Sequence, residues 1–263
     1  AELVGEKIVL TVRPEDLEGI DPVQLMNFWT RAMDAVWYLA GIEPGGARVE
    51  RIVADPAIEG IAHSGYPIHM AEKWAYALVD ISEIRENQWW TTFHELGHNF
   101  QLREWTFLGL QEATCNLWAL HVLETVGGVA RADTHPDQEM SDAKRQQRIQ
   151  TWVDEGRDFE GNWQEGFNAY QGFIPLEAFM QLQEAFGWEL LHALNQTYRN
   201  LPMDEQPFAQ SAKLQEWIVR SSQQAGVNLQ GFYQDWGFPI SEQTSATIGA
   251  LPAWDENPMD RYD

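Results

Sequence analysis

Residues 7–12, Lys-Ile-Val-Leu-Thr-Val, are largely β-branched and predict a strand. Asp21-Pro22 then opens a helix, with a capping acceptor followed by proline at the first helical position, where no amide proton is needed. Leu25, Phe28, Trp29, Ala32, Met33, Val36 and Trp37 recur behind it at three- and four-residue intervals, which is one apolar stripe on a helix. The stripe stops near Gly41, and Pro44-Gly45-Gly46 makes a loop. Residues 49–54 and 74–81 predict two more strands. Between them His63-Ser64-Gly65-Tyr66-Pro67-Ile68 reads as a turn and a short extended piece, which Pro67 confines to a sheet edge. From about Asn87 the apolar spacing becomes helical, and helices are expected over about 88–102, 109–126, 138–155, 175–199, 205–224 and 228–235. Strands first and helices second give an α+β class. The expected layout is one domain over residues 1–251, β-rich over about 1–86 with an edge strand and mostly helical over about 87–251. An acidic tail or linker is expected at 252–263.

Composition leaves this picture intact. The chain has 263 residues, 44% of them hydrophobic, and 13 are tryptophan. That is enough for a full core and rules out disorder. Charge narrows the partners. With 17 basic and 40 acidic residues the formal net charge is −23. A surface that negative repels phosphate backbones and anionic bilayers, so neither nucleic-acid binding nor membrane insertion is expected. No apolar run is long enough to cross a bilayer. The single cysteine, Cys115, excludes an internal disulfide, and its apolar setting makes a buried, inert thiol the default. A start at Ala1 without a signal peptide leads to the expectation of a processed protein or an excised domain whose targeting segment has been removed.

The candidate chemistry is in Thr92-Phe93-His94-Glu95-Leu96-Gly97-His98-Asn99. Histidines four apart project from one helix face, so both imidazoles reach one zinc ion at about 2.1 Å. Glu95 between them is placed to take a proton from a metal-activated water. Trp89, Trp90, Phe93, Leu96 and Phe100 flank the motif, which points to a buried helix and not a chance exposed pair. A third ligand has four candidates. Glu104 sits where an extended loop supplies a ligand in some zinc peptidases, but that turn needs glycine at 101 and the chain has Gln101. His121 and Glu124 lie further along the next expected helix and are less well placed. Glu112 is the strongest, because Gly109 breaks the chain and a new helix beginning near Leu110 can return it to the histidines. Asn116, one turn later on the same face, is placed either to fix the tautomer of a ligand imidazole or to make a plain interhelical hydrogen bond. An oxyanion donor remains open among Tyr170, His192 and Tyr66.

His-Ser-Gly-Tyr-Pro-Ile (63–68), His-Glu-Leu-Gly-His-Asn-Phe-Gln (94–101), Glu-Ala-Thr-Cys-Asn-Leu-Trp (112–118), Leu-Gln-Glu-Ala-Phe-Gly-Trp (182–188) and Phe-Tyr-Gln-Asp-Trp-Gly-Phe-Pro (232–239) stand in this order along the chain. Together they resemble the enhancin-like metallopeptidases, a family that includes bacterial mucin-degrading O-glycoprotein proteases and animal relatives that act as interaction proteins. The resemblance implies a zincin-like fold of the gluzincin type, with His94, His98 and Glu112 as zinc ligands and Glu95 as the catalytic base. Cys115 departs from the asparagine expected there. The implied activity is a secreted or cell-surface zinc endopeptidase of bacterial type, acting on glycoproteins, above all mucin-like ones. Two alternatives stay open: a non-catalytic zinc-binding interaction module, and a general zinc peptidase indifferent to glycans. Gly65 and Tyr66 are the expected substrate contacts, beside an edge strand that pairs with an extended peptide.

Overall fold

The computed structural model describes residues 1–86, 89–107, 109–159 and 173–262. They form two compact units, Ala1–Gln101 with Cys115–Ser141 and Leu102–Thr114 with Asp142–Asp263. The class is α+β, as expected.

The first unit contains the sheet. Its strands are β1 (Glu2–Val4), β2 (Ile8–Thr11), β3 (Glu50–Asp55), β4 (Ala62–His63) and β5 (Ile68–Ala71), in spatial order β1-β2-β3-β5-β4. β1 and β2 form an antiparallel hairpin, β2–β3 and β3–β5 are parallel, and β4 runs antiparallel to β5. Ile8, Val9 and Leu10 are all buried, which suits a strand covered on both faces. Helix α1 (Pro22–Leu39) makes the crossover from β2 to β3. The Asp21 carboxylate accepts from the amides of Val23 and Gln24, and all seven residues of the predicted stripe are buried.

Two expectations change. Residues 74–81 are not a strand: Glu72–Trp74 is a 3₁₀ turn, followed by the short helices α2 (Tyr76–Val79) and α3 (Ile81–Glu86). Ala77, Leu78 and Val79 are consecutively buried, so the alternation that defines a half-buried strand is missing. Period alone cannot separate so short an apolar run from a buried helix. Nor does Pro67 hold the extended piece after the turn at a sheet edge: that piece is β5, which pairs with β3 on one side and β4 on the other, and the edge strand is the two-residue β4 before the turn.

Helix α4 (Trp90–Phe100) carries the histidine motif, and the chain then runs through α5 (Gln111–Thr114) and α6 (Asn116–Val122). The single helix expected over 109–126 is therefore segmented. A π turn, Leu123–Gly127, follows α6, and Gly128 in the left-handed region ends it. α6 packs along α4, at a spacing only glycine allows: a Cβ on Gly97 would stand 2.1 Å from the carbonyl oxygen of Cys115.

In the second unit α7 (Asp142–Asp154), α8 (Phe173–Arg199), α9 (Gln210–Ala225), α10 (Gln230–Asp235) and α11 (Glu242–Ile248) surround an aromatic core. Trp105 stacks on Trp217 with centroids 4.8 Å apart, and its indole donates to Asn195 Oδ1. α8 breaks at Gly187, whose φ of 78° no other residue adopts readily. Near the C-terminus, Ala253 bridges to Asn228, and Met259 is fully buried.

Candidate metal centre

The site is built on α4. His94 and His98 are one turn apart and half-buried, with their Nε2 atoms 3.0 Å from each other. Nitrogens bound at about 2.1 Å in a tetrahedral site stand roughly 3.4 Å apart, so a small opening accommodates an ion between them.

The tautomer of His94 follows from donor chemistry. Asn116 Oδ1 lies 2.8 Å from the indole nitrogen of Trp90 and 2.6 Å from His94 Nδ1. An indole N–H only donates, so the Asn116 atom facing it must be the oxygen. His94 Nδ1 therefore carries its proton toward the same oxygen, and Nε2 is the unprotonated nitrogen, facing His98 Nε2 at 3.0 Å. On the other ring, the Gln101 side-chain amide stands 2.8 Å from His98 Nδ1. With Nε2 of that amide donating, the His98 proton sits on its own Nε2 and bridges to His94. Turning the amide presents its oxygen instead, shifts the proton to Nδ1 and frees both Nε2 lone pairs for one ion. Gln101 was weighed in the sequence only as a missing glycine.

Glu112 is exposed on α5. The ligand atoms of His94, His98, Glu112 and Cys115 all lie within 4.8 Å of one another. The thiol belongs to that group by proximity only. Two ligands of one ion stand across it, so a sulfur sharing an ion with Nε2 must lie beyond Nε2 and farther from Nδ1. Cys115 Sγ shows the reverse order, 3.4 Å from Nδ1 and 3.8 Å from Nε2. It packs against the imidazole, fully buried. Two imidazoles and a carboxylate are a donor set that suits zinc and leaves one position open. Glu95 is 8% exposed on the same helix.

The rival ligands are engaged elsewhere. Glu104 pairs with Arg103 at 3.0 Å. Glu124 accepts from the Arg131 guanidinium at 2.5 and 3.0 Å, and the buried His121 stacks on Tyr38. None of the three is in the donor group. Of the oxyanion candidates, Tyr170 lies outside the described residues. His192 is half-buried on α8, and Tyr66 is 56% exposed.

Gly65 and Tyr66 are tied to the metal helix by a residue the sequence reading passed over. Asn99 Oδ1 accepts from the Gly65 amide at 2.9 Å, and its Nδ2 donates to the Gly65 carbonyl at 2.8 Å and to Glu50 Oε2 at 3.2 Å. Glu50, 2% exposed, also accepts from Arg48, whose guanidinium lies 4.2 Å from the centre of the Tyr66 ring. The only sequence signal was an amide directly after the second histidine.

A helix-borne histidine pair with a nearby carboxylate, in a mixed α+β chain, is a group that could hold a metal ion. The chain belongs to the Peptidase M60, enhancin and enhancin-like family, whose model matches residues 1–237. It is 38% identical over 267 residues to TRPM8 channel-associated factor 2 of Bos taurus, a match covering 99% of this chain and 28% of that protein. It is similar in structure to a functionally unknown conserved protein from Bacillus anthracis str. Ames, with TM-score 0.81, 25% identity, and coverage of 97% of this chain and 52% of the other. IMPa from Pseudomonas aeruginosa in complex with an O-glycopeptide shares the fold, with TM-score 0.67, 16% identity, and coverage of 96% and 35%. The chain thus spans little more than a quarter of the curated relatives it matches. Family membership implies a metal cofactor. No helix among the described residues is long and apolar enough to cross a membrane.

Proposed function

We propose that this chain is the zinc-dependent endopeptidase domain of a secreted or cell-surface protein, acting on O-glycosylated, mucin-like polypeptides. The observation that carries the reading is the pair of Nε2 atoms facing each other at 3.0 Å, one of them held in its metal-binding tautomer by Asn116. His94, His98 and Glu112 hold the zinc, and Asn116 orients His94. When bound, zinc would supply a Lewis acid for the scissile carbonyl and the attacking water. Glu95 would take the proton from the water and deliver it to the leaving amine. Gly65 and Tyr66 line the substrate path beside the free edge of β4, where an extended peptide can add a strand. The glycopeptide held by IMPa supports O-glycosylated chains as the substrate class.

A second reading rests on the channel-associated relatives. In it the chain keeps its metal as an interaction module and cleaves nothing. A third is a peptidase indifferent to glycans. Three matched peptides separate them: bare, carrying a neutral core O-glycan, and sialylated, each incubated with zinc-loaded protein with and without chelator and read by mass spectrometry. The proposal expects chelator-sensitive cleavage of the glycosylated peptides only. It also expects slower cleavage of the sialylated peptide at low salt, because the chain carries −23. Equal cleavage of the bare peptide establishes the general peptidase. No cleavage by a zinc-loaded chain establishes the interaction module.

A further inference from the structure

The two most exposed large apolar side chains among the described residues stand on one loop of the second unit, between α8 and α9. Met203 is 88% exposed and Phe208 82%. The loop that carries them is held by its own hydrogen bonds. The Glu205 amide donates to the Pro202 carbonyl at 2.9 Å, and the Gln206 side-chain amide donates to the Leu201 carbonyl at 3.2 Å. Pro207 is buried and anchors the chain directly before Phe208. Keeping two such groups in water forgoes the burial that stabilises a fold, and apolar anchors presented together on a fixed loop mark an interaction surface. Beside Phe208 opens a cavity of about 100 Å³, lined by Arg103, Glu104, Gln206, Pro207, Phe208 and Lys213. An apolar cavity of about 150 Å³ takes a benzene ring, so this one has room for a single aliphatic side chain.

Charge decides what kind of partner fits. In a chain of −23, the cavity wall holds two cations and one carboxylate. Glu104 pairs with Arg103 at 3.0 Å, and the same carboxylate acts on Lys213. Burial holds the Lys213 ammonium below its ordinary value; Glu104 opposes this, and the charge of Arg103 adds to it. Its hydrogen bond to the Thr106 carbonyl is long, at 3.4 Å. Asp204 and Glu205, exposed on the loop, are not among the charges that act on Lys213. A second carboxylate would favour the charged form of this lysine. The Arg103 side chain is 76% exposed, and its guanidinium lies 6.0 Å from the centre of the Phe208 ring, so one ligand can meet both. A bilayer surface also offers anions, but the chain as a whole is repelled by one, and a bilayer has no side chain to place in the cavity.

We infer that this loop and its cavity dock an acidic linear segment of a partner protein, with one aliphatic side chain entering beside Phe208 and flanking carboxylates meeting Arg103 and Lys213. The surface is independent of the peptidase reading and needs no metal. The test is fluorescence anisotropy on the full chain with labelled peptides: Glu-Asp-Glu-Leu-Glu-Asp-Glu, the same peptide with glycine for leucine, and the leucine peptide with every acid changed to its amide. The leucine peptide should bind about tenfold or more tighter than the glycine peptide, the gain from burying one leucine side chain. It should also bind tighter than the amide peptide, by a factor that shrinks as salt rises. Phe208→Ser changes an exposed ring, spares the core and should weaken the leucine peptide about tenfold. Lys213→Gln should weaken it and flatten its salt dependence, and Lys213→Arg should keep both, with folding checked by circular dichroism. Co-sedimentation with phosphatidylserine–phosphatidylcholine vesicles should show no binding. No binding of the leucine peptide at millimolar concentration overturns the inference. So does equal binding of the glycine peptide, binding undiminished in Phe208→Ser or Lys213→Gln, or sedimentation with the vesicles.

Discussion

Two buried polar clusters, one in each unit, are assembled from similar parts to opposite effect. In the second unit Glu177 is fully buried, with Arg145 donating to one oxygen and Arg148 to the other at 2.5 Å. Burial alone would lower the Arg145 guanidinium, but the Glu177 and Glu184 carboxylates outweigh it and hold the group above its ordinary value. Each charge in this cluster faces its partner, as buried charges must. On α4 the polar groups are just as well ordered, yet the ordering points outward from the scaffold. Trp90 and Asn116 fix the rear nitrogen of His94, Gln101 meets the rear nitrogen of His98, and the front nitrogens face each other. A structural cluster closes on itself. On α4 the hydrogen bonds hold the rear nitrogens and leave the two front nitrogens facing each other.

Crossed measurements of stability and function test that contrast. Glu95→Gln should cost the largest share of function, about 10²–10⁴ in turnover. Zinc content and melting temperature should stay at wild-type values, because Glu95 is neither a ligand nor part of a closed network. Glu177→Ala should do the opposite. Leaving two guanidinium groups without their buried partner costs about 3–5 kcal/mol of stability, measured by urea unfolding, with zinc affinity unchanged where the chain is folded. Gly97→Ala belongs to the scaffold of the metal face. Its methyl would collide with the Cys115 carbonyl, and overpacking of this kind typically costs about 1–3 kcal/mol. Asn116→Ala should give the smallest effect, about 10–100-fold in zinc affinity, measured by chelator competition. Asn116→Asp, which preserves the oxygen that accepts from both Trp90 and His94, should restore most of it.

Local signals carried the legible part of the fold. Helix α1 announces itself through Asp21-Pro22 and a seven-residue stripe, because capping and period are both written within a few turns of chain. The histidine motif is legible for the same reason, since i and i+4 share a helix face whatever surrounds them. The misread strand at 74–81 shows the limit: a short run buried on all sides has no period to read. The reach of Asn99 to Gly65 and the close approach of Gly97 to Cys115 were illegible because each depends on where a distant segment passes. The sequence offered an amide and a glycine without saying what either would meet. Cys115 was legible as buried, but its place against the His94 ring appears only in three dimensions.

The central claim is that zinc is held by His94, His98 and Glu112. The measurement that tests it most directly is the zinc content of purified, reconstituted chain after dialysis, compared for wild type, Glu112→Ala and Glu104→Ala. The account predicts one zinc per chain in wild type and in Glu104→Ala, and little retained zinc in Glu112→Ala. Stoichiometric zinc in Glu112→Ala, with loss in Glu104→Ala, would contradict it.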